Sequence, residues 1–278
     1  ILLFYIPIAA CQSDAMAILL RHDAIIHYRK NSLRKDRQTL VFVNSLGTDF
    51  RIWDEVTEML NADFNLVVHD KRGHGLSDLG NSPHTVETYA QDLAALIDHL
   101  KISSVIAVGL SVGGLVVQAL AAARPELVRA LVISNSAAKI GTAEMWAARV
   151  GAVQSKGLSS IAEGILERWF SKSFHVNKPN DLALYRNMLV RTSGEAYVAC
   201  CEALRDADYL HRASSIKVPT LCIVGEHDGA TPPALVQDTA HRIAGSHFEL
   251  MAGLGHLPCI EDPRGYANLL KTFAEKLT

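Results

Sequence analysis

Residues 105–117 read VIAVGLSVGGLVV. An apolar, β-branched run of strand length ends in Gly-Leu-Ser-Val-Gly, and the apolar stretch after it suits a helix. With 18 glycines in the chain, the pattern Gly109-x-Ser111-x-Gly113 alone is a weak signal. Its setting strengthens it. A buried strand that turns sharply into a helix needs glycine where the two backbones approach, because no β-carbon fits there. Such a turn lifts the serine hydroxyl above the sheet, and the helix N-terminus places partial positive charge beneath it. The competing reading makes Ser111 an ordinary N-cap, whose hydroxyl accepts from the first N–H groups of the helix.

Outward from this stretch, TLVFVNSLG (39–47), FNLVVHD (64–70), ALVISNS (130–136) and PTLCIVGEHD (219–228) are again short apolar runs closing on turn or polar residues. TVETYAQDLAALIDHL (85–100) and GLVVQALAAARPELV (114–128) have the Ala/Leu content and spacing of helices. Apolar strands without alternation, separated by helices, predict an α/β fold with a mostly parallel central sheet and helices on both faces. The chemistry of such sheets gathers at the carboxyl ends of the strands, where the polar residues of these runs fall. Between 137 and 215 the pattern is helical without a convincing strand. The chain therefore reads as a core in two parts, 16–136 and 216–278, with an inserted helical cap over 137–215.

Composition sets outer limits. A chain of 278 residues, 49% hydrophobic and 20% charged, is long enough for one sizeable core carrying an inserted lobe. The formal net charge is −2 and no Lys/Arg cluster is long enough to follow a phosphate backbone, which argues against nucleic acid as a partner. The five cysteines, Cys11, Cys200, Cys201, Cys222 and Cys259, form no C-x-x-C pair. They read as free thiols of a reducing compartment. No H-E-x-x-H, phosphate loop or dinucleotide fingerprint occurs, so neither metal nor cofactor is expected. Residues 1–15, ILLFYIPIAACQSDA, hold an apolar stretch too short to span a membrane. They lack the basic flank of a secretory leader, so they read as an upstream extension before a start at Met16, with a leader remnant as the alternative.

A serine nucleophile needs a base, and the base needs an orienting acid. In this topology the acid and then the histidine follow the serine, each in a loop after a later strand. CIVGEHDGATPP supplies Asp228 and FELMAGLGHLPCIEDP supplies His256. Glu226 and His227 are the nearest alternatives to Asp228, which stands later in the turn and can reach across the sheet. Asp262 reads as a surface or helix-start residue. Acyl transfer also needs donors for the oxyanion. The N–H of Val112 is one, and the loop NSLGTD after the first core strand offers the N–H of Leu46 as the other. Asn44 and Ser45 shape that loop or are plain turn residues. DKRGHGLSD (70–78), despite its charges and His74, reads as a tight turn that buttresses the site.

With these residues in place the chain resembles the α/β-hydrolases from Met16 to its end, and among them the bacterial 3-oxoadipate enol-lactone hydrolases. NSLGTDFRIWD (44–54), DKRGHGLSD (70–78), GLSVGG (109–114) and SNSAAKIGTAEMW (134–146) carry the resemblance, with LERWF (166–170), ALRDADYL (203–210) and LGHLPCIEDP (254–263). The resemblance implies an α/β-hydrolase fold and a cytoplasmic, cofactor-free serine hydrolase. Its substrate would be a small lactone carrying a carboxylate, opened in aromatic catabolism. That carboxylate needs a cation when it leaves water. Arg149 is the candidate partner and Trp146 the candidate wall, one helical turn apart; a surface Arg and a packed Trp are the alternative, and Arg168 and Arg205 are fallbacks. Rival readings are another hydrolase of the same fold, such as an esterase, a carbon–carbon bond hydrolase or a perhydrolase, and a non-catalytic receptor.

Overall fold

The computed structural model describes residues 17–277; Cys11 and the segment 1–15, with its proposed start at Met16, lie outside them. Its first elements form a hairpin, β1 (Ala17–Leu20) and β2 (Ile25–Lys30), with Ile18 opposite His27 and Leu20 opposite Ile25. Leu19 and Ile26 face the core while Ile18 and Leu20 are exposed, the alternation of a half-covered antiparallel pair.

The next strands, β3 (Thr39–Val43), β4 (Asn65–His69) and β5 (Val105–Leu110), are buried at every residue. That requires cover on both faces and explains their unbroken apolar runs. With β6 (Val128–Ser134), β7 (Thr220–Gly225) and β8 (His247–Met251) they complete one eight-stranded sheet in the order β1-β2-β4-β3-β5-β6-β7-β8. The pairings from β4 through β3 to β8 are all parallel; β1–β2 and β2–β4 are antiparallel. Helix α1 (Asp54–Leu60) follows β3, and α2 (Val86–His99) starts at a capping box formed by Thr85 and Thr88. Helix α3 (Val112–Ala123) follows β5 and packs on α2, β5 and β6.

The helix read over 114–128 stops at Ala123, short of expectation. Pro125 has no N–H to continue the ladder, and Arg124 before it takes φ −139° and ψ 60°, outside the helical region. The released segment makes one tight turn and enters β6 at Val128, two residues earlier than the sequence pattern indicated.

Between β6 and β7 run α4 (Ala143–Lys156), α5 (Ala162–Trp169), α6 (Lys172–Asn177), α7 (Pro179–Arg191) and α8 (Gly194–Asp206), with no strand among them. Thr142, Ser171 and Ser193 cap α4, α6 and α8 with side-chain oxygens, and Pro179 opens α7. This helical cap rests on core loops: Leu189, Tyr197 and Trp169 crowd Gly47, and Ala196 crowds Gly73. The core resumes with β7, α9 (Pro233–Arg242), β8, α10 (Pro258–Glu261) and α11 (Pro263–Glu275), the last packed on α1. The four described cysteines are free and buried. No helix among the described residues is long and apolar enough to cross a membrane.

Candidate active site

Ser111 stands between β5 and α3 at φ 58° and ψ −119°, a left-handed conformation that costs a non-glycine residue about 1–3 kcal/mol. The glycines around it show why the turn is so tight. A Cβ on Gly109 would lie 2.1 Å from the Gly113 carbonyl oxygen, and one on Gly113 would lie 2.3 Å from that of Val43. The Ser111 N–H donates to Ser134 at 2.9 Å, and the Ser111 carbonyl accepts from Gly114 N–H at 2.9 Å and the Ser136 hydroxyl at 2.6 Å. The Ser111 hydroxyl does not cap α3. The ordinary N-cap reading therefore fails, and the side chain is left for other work.

Asp228 closes the turn after β7, and His256 lies in the loop after β8; they are 4% and 1% exposed. His256 donates from Nδ1 to Asp228 Oδ2 at 2.8 Å, which leaves Nε2 as the basic nitrogen. The carboxylate has four more donors. Ala230 and Thr231 N–H reach Oδ1 at 2.7 and 2.9 Å, while the Thr231 hydroxyl and Asn135 Nδ2 reach Oδ2 at 2.7 and 2.9 Å. Burial alone would push the Asp228 carboxyl up, but His256 and Thr231 hold it below the ordinary carboxylate range. The balance is reasonable, since each hydrogen bond to a charged group contributes about 1.5–3 kcal/mol. Glu226 and His227 are exposed, and Glu226 instead accepts from Gly253 N–H. Asp262 caps α11 through Gly265 N–H at 2.9 Å.

Asn135, at φ 47° after β6, also donates to the Gly255 carbonyl at 3.2 Å. It joins the loops of Asp228 and His256. Glu261 holds the same region from outside: it accepts from Gly255 N–H at 2.7 Å and from the Ser171 hydroxyl at 2.5 Å, while Trp169 accepts from His256 N–H at 2.8 Å. The sequence reading missed Asn135, Thr231 and Glu261. Glu261→Ala strands Gly255 N–H and the Ser171 donors; the expected result is a loss of about 2–4 kcal/mol in urea unfolding, with kcat lowered more than KM.

Leu46, 5% exposed, lies in the loop after β3. Asn44 Nδ2 bonds the Thr48 carbonyl, and Gly47 N–H donates to His74 Nε2 at 3.1 Å while His74 Nδ1–H donates to the Arg72 carbonyl at 3.0 Å. Burial, then the Lys71 charge, push His74 far below its ordinary value, so it stays neutral in this brace. Val112 is the first residue of α3, where N–H groups have no intrahelical partner. A second buried imidazole–carboxylate pair, His27 with Asp70 at 2.7 Å, belongs to the turn. Asp70 also accepts from Phe50 and Leu76 N–H, at 2.9 and 3.0 Å.

In the cap, Trp146 is buried and its Nε1–H donates to the Ile140 carbonyl at 2.7 Å. The Arg149 guanidinium lies 4.9 Å from the Trp146 ring centre and faces Tyr197, the residue that packs on Gly47. Arg168 lies against Gly229, next to Asp228. Desolvation, then the like charge of Arg149, push Arg168 below its ordinary value. Among the described residues neither guanidinium is paired with a carboxylate, whereas Arg205 is forked onto Asp206 at 2.8 and 2.9 Å. Arg149 is half-buried and Arg168 is exposed, with the backbone and stem of Arg168 against the turn that carries Asp228.

Comparison with known proteins agrees with this architecture. The Hydrolase_4 family, described as serine aminopeptidase, S33, matches residues 34–263. The chain is 33% identical over 241 residues to 3-oxoadipate enol-lactonase 2 of Acinetobacter baylyi, covering 87% of this chain and 90% of the relative. Against 3-oxoadipate enol-lactonase 1 of the same organism the identity is 32%, with coverage of 86% and 89%. The crystal structure of the enol-lactonase from Burkholderia xenovorans LB400 superposes with a TM-score of 0.87 at 34% identity, covering 91% of this chain and 97% of that one. With its mostly parallel sheet, its tight serine turn and the helices between β6 and β7, this chain belongs to the α/β-hydrolase family and is an ester hydrolase.

Proposed function

We propose that the protein opens 3-oxoadipate enol-lactone to 3-oxoadipate, a step of the β-ketoadipate pathway of aromatic catabolism, in the cytoplasm. The observation that carries the reading is the buried Asp228–His256 pair, bonded at 2.8 Å in a sheet whose central turn holds Ser111 in a strained conformation. His256 Nε2 takes the Ser111 proton as Oγ attacks the lactone carbonyl, and Asp228 stabilises the imidazolium. The N–H groups of Leu46 and Val112 receive the oxyanion. Collapse breaks the ring carbon–oxygen bond and expels an enolate, a better leaving group than an alkoxide. It takes the proton from His256 and tautomerises to the ketone. Water, deprotonated by the same imidazole, then attacks the acyl-enzyme, and Ser111 regains its proton as the acid leaves.

The substrate carboxylate pairs with Arg149 beside the Trp146 wall, with Arg168 as the neighbouring charge. Arg149→Met is expected to raise KM for the enol-lactone about 10- to 100-fold with little change in kcat, the loss of one charged hydrogen-bond partner. KM for a neutral ester should stay put. The decisive assay follows the ultraviolet absorbance of the enol-lactone with purified protein, beside a simple neutral ester. Rapid loss of the lactone supports the reading. Cleavage of the neutral ester with the lactone untouched would leave a serine esterase of different substrate.

A further inference from the structure

The oxyanion donor assigned to Leu46 has a support that the nucleophile–base–acid description does not use. The Ser45 carbonyl and the Leu46 N–H belong to one trans peptide, so they lie in one plane and point opposite ways. Whatever grips the Ser45 oxygen therefore aims the Leu46 hydrogen. Four donors reach it: Lys71 Nζ at 2.5 Å, the Thr48 hydroxyl at 2.9 Å, Thr48 N–H at 3.3 Å and, at the long limit, Asn44 Nδ2 at 3.5 Å. Lys71 is 2% exposed and, among the described residues, its ammonium has no carboxylate within ion-pair distance. A buried ammonium directed at a backbone carbonyl is a costly arrangement for a mere turn residue.

We propose that Lys71 is a positioning residue for acyl transfer: it fixes and polarises the Ser45–Leu46 peptide so that the Leu46 N–H meets the oxyanion. The inference rests on the reading of Leu46 as an oxyanion donor and adds the group that orients it. A cationic donor on the carbonyl also makes the N–H at the other end of the same peptide a stronger donor. The two Thr48 bonds keep the loop in place without the lysine.

The groups facing Lys71 come from every neighbouring element. They are Asp49 in the loop after β3, His69 and Asp70 at the end of β4, His74 in the following turn and Cys200 on α8. Burial pushes the lysine down to about 8, with Cys200 and the two aspartates opposing that shift. At neutral pH the ammonium form prevails, and it is lost as the pH rises through this value. Oxyanion stabilisation weakens in the same interval.

The test measures kcat and KM from pH 6 to 10 for wild type and Lys71→Met, on both the enol-lactone and the neutral ester, with circular dichroism to verify folding. Lys71→Met is expected to lower kcat about 10- to 100-fold, less than the roughly 10²–10³ of a deleted donor, with KM changed less than about threefold. Wild-type kcat should decline with a midpoint near 8, and this decline should be absent from the variant. A folded Lys71→Met with wild-type kcat, or with the alkaline decline intact, overturns the proposal. If Lys71→Met does not fold, Lys71→Gln takes its place: a folded variant with wild-type kcat overturns the proposal, and a lowered kcat with little change in KM supports it. If only the neutral ester is cleaved, the substrate assignment fails while the same comparison on the ester still tests Lys71. If Ser111→Ala keeps full activity, the catalytic reading falls and this inference falls with it.

Discussion

Ser111→Ala is expected to lower kcat for the enol-lactone by about 10⁵–10⁶, the loss typical of removing a nucleophile whose partners act as a unit. The substitution leaves the turn as it is. Alanine must adopt the same φ 58° and bears a similar backbone strain, so the melting temperature should move little. Ser111→Gly separates the two roles of the position. It is equally inactive, yet glycine tolerates the left-handed conformation. Its unfolding free energy should rise by up to about 1 kcal/mol, the strain outweighing the entropy cost of glycine. Single-turnover kinetics beside thermal unfolding measure both. An alanine variant within tenfold of wild type would remove Ser111 from the chemistry.

Asp228→Asn should lower kcat by about 10⁴ while barely changing the shape of the site. The reason lies in which donors surround the carboxylate. If the new amide keeps its oxygen toward Ala230 and Thr231 N–H, its NH₂ falls among Asn135 Nδ2, the Thr231 hydroxyl and His256 Nδ1. It must then donate to His256 Nδ1, which moves the imidazole proton to Nε2 and removes the base. The Asn135 amide is left facing another donor, a second cost with its own effect on stability. Proton NMR of the imidazole and the pH dependence of kcat check the tautomer. Activity close to wild type would show that the acid is dispensable.

Much of the core was legible because its strands are buried on both faces. β3, β4 and β5 carry apolar residues throughout, and a run such as LVFV has few other uses beside glycine-rich turns. The order of the strands was not legible. That β3 lies between β4 and β5 depends on crossovers, and periodicity within one segment says nothing of its neighbours. Ser111, Asp228 and His256 stand out as candidates in the sequence because each follows a strand in a fixed order. Asn135, Thr231 and Glu261 could not, since their significance exists only after folding. Asn135 meets Asp228 across 93 residues of sequence and Glu261 meets Ser171 across 90. Lys71 was hidden differently: within DKRGHGLSD it looked like one more charge in a turn, and only its burial against Ser45 distinguishes it.

The cap leaves the core after β6 and returns at β7, two strands that are direct neighbours, a geometry that invites transplanting a foreign cap to change substrate preference. The bonds described above place a limit on such a chimera. His256 takes its backbone anchor from Trp169, and Glu261 reaches Ser171, so part of the scaffold around His256 lies in the segment between β6 and β7. A graft that discards residues 169–171 would arrive with a new pocket and a loosened imidazole. One that retains this short segment, and exchanges only the helices on either side, would keep the His256–Asp228 bond and its anchors intact.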